Sequence, residues 1–186
     1  MKIKRMGAVF FLVVCVFCGC GKHEISHEKN GQNVSEEYRR AMEKAETTPY
    51  GAYPELVTYT LAQISGANNS NLPEGDTYED NAYTRYLRKM LNIQNDTVYM
   101  DTEERYSELV NILVKDQNLP DIMVVTDREI LKELVENDLV EDLTEVFEKC
   151  TSSRIKEMYE SYGDALLNSG KFNGRLMAVP ETVIDH

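Results

Sequence analysis

The chain has no tryptophan, and its 186 residues hold only three histidines and four cysteines. Each shortage closes off a class of function. His23 and His27 lie near the start and His186 is the last residue, so the stretch between His27 and His186 contains no imidazole to serve as a general base or metal ligand. There is no G-x-S-x-G nucleophile turn and no glycine-rich loop to cradle a phosphate. Cys15, Cys18 and Cys20 cluster near the start, leaving Cys150 alone in the body. An intramolecular disulfide is excluded there, and stability falls to the hydrophobic core. Cys150 is expected as a small apolar residue buried on a helix, since no histidine adjoins it to activate the thiol. Basic residues are also few, 20 against 32 acidic, for a net charge of −12. Such a surface repels phosphate backbones and anionic headgroups, so nucleic acid is not an expected partner, and a neutral or cationic ligand fits better. The many carboxylates do not exclude a glycosidase pair by counting, but at this density along helices they read as a solvated face.

Long apolar runs are lacking as well. The longest, residues 6–18, is about 13 residues, short of the ~20 needed to span a bilayer and right for the h-region of a signal peptide. Lys2, Lys4 and Arg5 precede it and Gly19-Cys20 closes it. Only Cys20 follows a small residue; Cys15 follows Val14 and Cys18 follows Phe17. This pattern predicts a bacterial lipoprotein leader, cleaved before Cys20, with a diacylglyceryl group on the Cys20 thiol and the protein anchored on the extracytoplasmic face of the membrane. Phe17 stands where such leaders more often have leucine. Removing residues 1–19 takes away three of the basic residues and leaves 167 residues with 17 basic against 32 acidic, a net charge of −15. That length suits one domain of ordinary size.

Residues 21–34 are polar with almost nothing to bury and read as a tether. Ser35 is placed to cap a short helix through Glu46, with Tyr38, Ala41, Met42 and Ala45 at helical spacing. Pro49, Gly51 and Pro54 then break the chain. From residue 55 strands and helices alternate: a strand over 56–64, a helix over 81–91, a strand over 96–100, a helix begun by Asp101-x-x-Glu104, a strand over 121–125 and a helix begun by Thr126-x-x-Glu129. Ile130, Leu131, Leu134, Val135 and Leu139 form the buried side of that last helix. Residues 144–168 read as two further helices and 175–179 as a final strand stopped by Pro180. The alternation predicts an α/β fold with a mostly parallel sheet flanked by helices.

Ligands of such sheets bind beyond the carboxyl ends of the strands. The connection over residues 65–80 is long enough to be functional, and the amides and hydroxyl of Asn68, Asn69, Ser70 and Asn71 could meet a neutral polyol or simply form a solvated turn. His23-Glu24-Ile25-Ser26-His27 spells H-E-x-x-H, the zinc-protease pattern, but it lies in the polar tether without a third ligand, so no metal is expected.

Five strings occur in order: Tyr59-Thr60-Leu61; Leu72-Pro73-Glu74-Gly75-Asp76-Thr77-Tyr78 with Asn81; Leu119-Pro120-Asp121-Ile122-Met123; Asp142-Leu143-Thr144; and Gly174-Arg175-Leu176-Met177-Ala178-Val179-Pro180. Together, over about residues 53–182, they resemble the amino-terminal lobe of the family 1 extracellular solute-binding proteins, the lipoprotein receptors of carbohydrate ABC importers of Gram-positive bacteria. The resemblance implies a periplasmic-binding-protein-like fold, with residues 20–53 as lipidated tether and short helix and 54–186 as a partial solute-binding domain whose second lobe is missing. It implies a monomeric, non-enzymatic receptor without cofactor, closing on a sugar such as an oligosaccharide and delivering it to permease subunits in the membrane. By position it makes Asn81, Asp127, Glu181 and Thr182 the candidate ligand contacts; Tyr78 and Tyr83 flank the right loop, but with no tryptophan in the chain the principal stacking residues are expected in the missing second lobe. Asn81 could equally cap the helix it begins. The alternative expectation is a lipid-anchored sensory or structural interaction protein without a transport role; a carbohydrate-processing enzyme stands third.

Overall fold

Val57–Ser65, nine residues of which five are β-branched or aromatic, form strand β2 in the computed structural model. The structure describes residues 35–65 and 72–181, together with the backbone of 11–14. Four further segments join β2 in a five-stranded sheet: β1 (Phe11–Val14), β3 (Ile93–Thr102), β4 (Ile122–Val125) and β7 (Val179–Pro180), in the order β3-β2-β4-β1-β7. Strands β5 (Lys171–Phe172) and β6 (Arg175–Leu176) form a separate hairpin. The helices are α1 (Glu36–Thr47), α2 (Ala82–Leu91), α3 (Glu103–Asp116), α4 (Arg128–Glu136), α5 (Thr144–Cys150), α6 (Ser153–Ser161) and α7 (Asp164–Ser169).

β3, β2 and β4 run parallel, as the alternation of strand and helix requires. β1 is antiparallel to both of its neighbours, so β7 points the same way as β4. The predicted α/β class and parallel sheet are therefore present.

The β2–β4 ladder is short, with only Leu61↔Ile122 and Ala62↔Met123 in register, and side chains secure both of its ends. At one end the Asp121 carboxylate accepts from the Thr60 backbone N–H and hydroxyl, each at 2.7 Å, while the Asp121 N–H donates to the Thr60 hydroxyl at 2.8 Å. At the other, the Tyr106 hydroxyl donates to the Ala62 carbonyl at 2.9 Å and accepts from the Val124 N–H at 3.3 Å.

A bulge in the β2–β3 ladder sets which side chains share a face. Leu61 pairs with Thr97 but Ala62 pairs with Tyr99, so Val98 is the extra residue. Before the bulge, Asn95 and Thr97 lie on the face of Tyr59 and Leu61. After it, Tyr99 lies on the face of Ala62 and Ile64, where it packs against the core and its hydroxyl accepts from Asn118 at 2.6 Å. That face carries the main core, built with Met123, Val125, Tyr106, Val110 and Leu113 of β4 and α3, and Leu131 and Leu134 of α4. Of the five apolar residues expected behind β4, Ile130, Leu131 and Leu134 are buried, and Val135 and Leu139 pack partly buried against them.

Several expectations need correction. The Asp101 and Thr126 caps do not form, because the extended backbone runs one residue further in each case. β3 continues to Thr102, which is the N-cap of α3 without a side-chain bond, and the Asp101 carboxylate instead accepts from the Thr102 N–H and pairs with Arg105, both at 2.7 Å. Asp127 caps α4, accepting from the Glu129 N–H at 2.8 Å. Residues 144–168 hold three helices rather than two, because Thr151 and Ser152 are extended and Gly163 interrupts again. The single strand expected over 175–179 is two short ones. Asn173 and Gly174, both at positive φ (51° and 82°), make the tight turn between β5 and β6, and the N–H groups of Met177 and Ala178 then donate to the Gly170 carbonyl instead of to a neighbouring strand. Ser35 does cap α1, accepting from the Tyr38 N–H at 3.1 Å. Cys150 is half-buried at the end of α5, its thiol 3.2 Å from the Glu46 carbonyl of α1.

Candidate functional site

The face of β2 opposite the main core carries Tyr59, Leu61 and Gln63, with Asn95 and Thr97 beside them on β3. Helix α2 and residues 72–78 cover this face incompletely, leaving a groove of about 290 Å³. Its polar and aromatic lining consists of Tyr59, Tyr78 and Tyr83 with Gln63, Asn81 and Asn95, completed by leucines and Thr84. Among the described residues that line it there is no carboxylate and no cation. Gln63 donates to the Thr97 hydroxyl at 3.3 Å, and Asn95 is buried. Burial raises the Tyr59 phenol above its ordinary value of 10.0, with neighbouring Tyr83 adding to the shift, so the hydroxyl stays neutral and able to donate at physiological pH.

The wall of the groove is a clamped turn. Asp76 N–H donates to the Pro73 carbonyl, Thr77 N–H to the Asp80 carbonyl and Asp80 N–H to the Thr77 hydroxyl. Arg85, one turn into α2, reaches back to Asp76 at 3.0 Å and Asp80 at 3.3 Å, and the hydrogen bond to Asp76 raises the guanidinium pKa further.

Asn81 joins the turn to the helix. Its side-chain oxygen accepts from the N–H groups of Tyr83 and Thr84 at 2.9 and 3.1 Å, and its amide donates to the Thr77 and Tyr78 carbonyls at 2.9 and 3.1 Å. The Thr84 hydroxyl accepts from the Asn81 N–H at 2.9 Å, completing a capping box. Both lone pairs and both amide protons of Asn81 are thus engaged. Of the two roles open to it in the sequence, the cap is the one formed, and through Tyr78 it holds an aromatic ring in the groove wall.

Asp127 and Glu181 stand elsewhere, directly beyond the carboxyl ends of β4 and β7, and both are exposed. Next to Asp127, the Arg128 guanidinium lies 4.5 Å from the centre of the Phe172 ring and donates to the carbonyls of Ser169 and Lys171, fixing the β5–β6 hairpin beside this edge. The Tyr159 hydroxyl donates to the Pro180 carbonyl at 2.6 Å; burial first and the Glu181 charge second raise its pKa. Thr182, Cys20, the H-E-x-x-H string and Asn68, Asn69, Ser70 and Asn71 lie outside the described residues.

Among the described residues no three of His, Cys, Asp and Glu are grouped to hold a metal ion, and no helix is long and apolar enough to cross a membrane. Tyr59, Gln63 and Asn95 were not among the site residues expected from the sequence. The first two follow from alternation along the strand read over 56–64. Asn95 joins them only through the register of β3. No protein family, curated protein or solved structure gives a significant match to the chain.

Proposed function

We propose that the chain is the amino-terminal lobe of a periplasmic-binding-protein-like receptor of the family 1 extracellular solute-binding type, lipid-anchored through Cys20, which delivers a neutral carbohydrate to an ABC importer. The observation that carries this reading is the uncharged groove. Tyrosine faces suit the apolar sides of a pyranose ring, and amides flanking them suit its hydroxyls. The net charge of −12 also disfavours anionic solutes. In this reading Asn81 acts by positioning Tyr78, and the ligand contacts carried over from the resemblance are Asp127 and Glu181, beyond the carboxyl ends of β4 and β7, together with Thr182. A second lobe would supply the other wall of the cleft, and its closure on ligand would be the state read by the permease. No chemistry is performed on the sugar.

A groove of about 290 Å³ falls at the lower limit of small-molecule sites. The 186-residue chain alone is therefore expected to bind sugars weakly, and calorimetry with maltotriose, cellotriose and raffinose should show no micromolar affinity. Uptake of the same labelled oligosaccharides by the source strain, with and without the gene, tests the transport role. Loss of uptake of one sugar supports it; unchanged uptake of a broad panel of neutral sugars overturns it. The second reading, a lipid-anchored interaction protein, draws on the exposed stripe of Tyr83, Tyr86 and Met90 along α2, and predicts that unchanged result.

A further inference from the structure

Among the described residues two polar side chains are buried, Thr84 and Asn95, and they differ in how they are satisfied. The Thr84 hydroxyl accepts from the Asn81 N–H at 2.9 Å and donates to the Asn81 carbonyl at 3.2 Å. The Asn95 side chain, only 7% exposed, makes no hydrogen bond within the described structure, and it lines the groove. Asparagine is depleted in strands, and an amide buried without a partner destabilises a fold, so β3 gains nothing from it as a strand. Tyr59 stands directly across the ladder from Asn95, and its hydroxyl is likewise without a hydrogen-bond partner among the described residues. On the same face Gln63 already gives an amide proton to the Thr97 hydroxyl.

We infer that Asn95 is the specificity-determining residue of the groove: its primary amide grips two neighbouring hydroxyls of one neutral sugar ring, donating to one and accepting from the other. This rests on the carbohydrate reading proposed above and adds to it the feature of the sugar that is read. A primary amide presents N–H and C=O side by side, whereas a carboxylate only accepts and an ammonium only donates. Adjacent ring hydroxyls held gauche offer the matching acceptor and donor. At about 290 Å³ the groove suits a single ring rather than a chain, so the ring is a free monosaccharide or the end of an oligosaccharide. Asn95 is the third residue of β3, at the end of the ladder away from Thr102, whereas Asp127 and Glu181 stand beyond the carboxyl ends of their strands. It therefore acts apart from the contacts carried over from the resemblance.

The test follows the amide resonances of the isotope-labelled full chain by NMR, with glucose, cellotriose and tetrahydropyranylmethanol each added to millimolar concentration. Glucose, cellotriose or both should shift the Asn95 side-chain amide saturably, and the tighter of the two identifies a free ring or a chain end. Tetrahydropyranylmethanol has the ring without the hydroxyl pair and should leave that amide unmoved; an equal shift would overturn the inference. Sugar shifts confined to the Arg128 and Glu181 amides would overturn it while leaving the carbohydrate reading intact. No shift with either sugar would also overturn it, and the uptake assay then judges the reading on its own. Asn95→Leu keeps the branching of the side chain without its polar atoms, and should weaken sugar binding by about tenfold or more while the unfolding midpoint stays level or rises. Asn95→Ala opens space instead of filling it and should lose binding as fully, which separates the lost amide from a blocked groove. Unchanged binding in either variant, or a lower midpoint in Asn95→Leu, would assign the amide to the fold and sink the proposal.

Discussion

The hydroxyl of Tyr106 donates to the carbonyl of Ala62 at 2.9 Å, both residues being wholly buried. The same oxygen accepts from the Val124 N–H, so one side chain of α3 bridges two strands where their own ladder ends. Tyr106→Phe keeps the ring packing but strands a buried carbonyl. It should destabilise the domain by about 1–3 kcal/mol, the cost of leaving a buried polar group unsatisfied. Urea denaturation should show a lower midpoint with an unchanged slope; an unchanged midpoint would mean water replaces the hydroxyl.

Thr60 and Asp121 do the same work at the opposite end of that ladder. A double-mutant cycle with Thr60→Val and Asp121→Asn should give a coupling of about 0.5–3 kcal/mol, because each partner depends on the other. Additive effects would show that the contact contributes nothing as a pair.

Gly170 packs against the turn between β6 and β7. A Cβ there would lie 2.1 Å from the Ala178 carbonyl oxygen, which is backbone and cannot swing away. Gly170→Ala should therefore cost about 1–3 kcal/mol, as overpacking does. Thermal unfolding checks this, and the amides of Met177 and Ala178, which donate to the Gly170 carbonyl, should lose exchange protection first.

Asp142 links the start of α5 to the hairpin. Its carboxylate accepts from the Thr144 hydroxyl at 2.5 Å and N–H at 2.9 Å, and the Thr144 hydroxyl in turn accepts from the Leu176 N–H at 2.9 Å. The hydroxyl bond first, then the backbone bond and, more weakly, Arg175 hold the Asp142 carboxyl below its ordinary 3.8. A depressed folded-state pKa means the unfolded chain takes up the proton more readily. The stabilisation is thus complete above the unfolded value and disappears as pH falls through the folded one. Being partly exposed to solvent, the group contributes modestly. Asp142→Asn should flatten the acid limb of stability against pH below about 4, measured as midpoints from pH 2 to 7; a parallel, uniformly lowered curve would assign the effect to capping instead.

Asn81→Ala should cost about 1 kcal/mol through the lost cap, and should also release Tyr78 from the groove wall. Asn81→Asp keeps the acceptor for the Tyr83 and Thr84 N–H groups but not the donors to Thr77 and Tyr78. It should recover most of the stability while residues 72–80 remain loosened, seen as faster exchange at the Asp76 and Thr77 amides. Full protection there would place the clamp on Arg85 alone.

The α/β class, the parallel strands and the apolar faces of α3 and α4 were legible because they depend on local periodicity, which the order of residues carries directly. Ser35 and Asn81 could be read as caps for the same reason. Asn173-Gly174 was a legible hairpin signal, missed because no strand was read before it at Lys171–Phe172. The tertiary structure decided what depends on partners distant in sequence. Extended backbone one residue longer than expected displaced two caps, and pairing with β2 placed the bulge at Val98 and so turned Asn95 toward the groove and Tyr99 toward the core. Tyr106 became a bridge only because β2 and β4 meet for two residue pairs. No local pattern encodes these, since a hydrogen bond across 44 residues is chosen by packing, not by its neighbours in the chain.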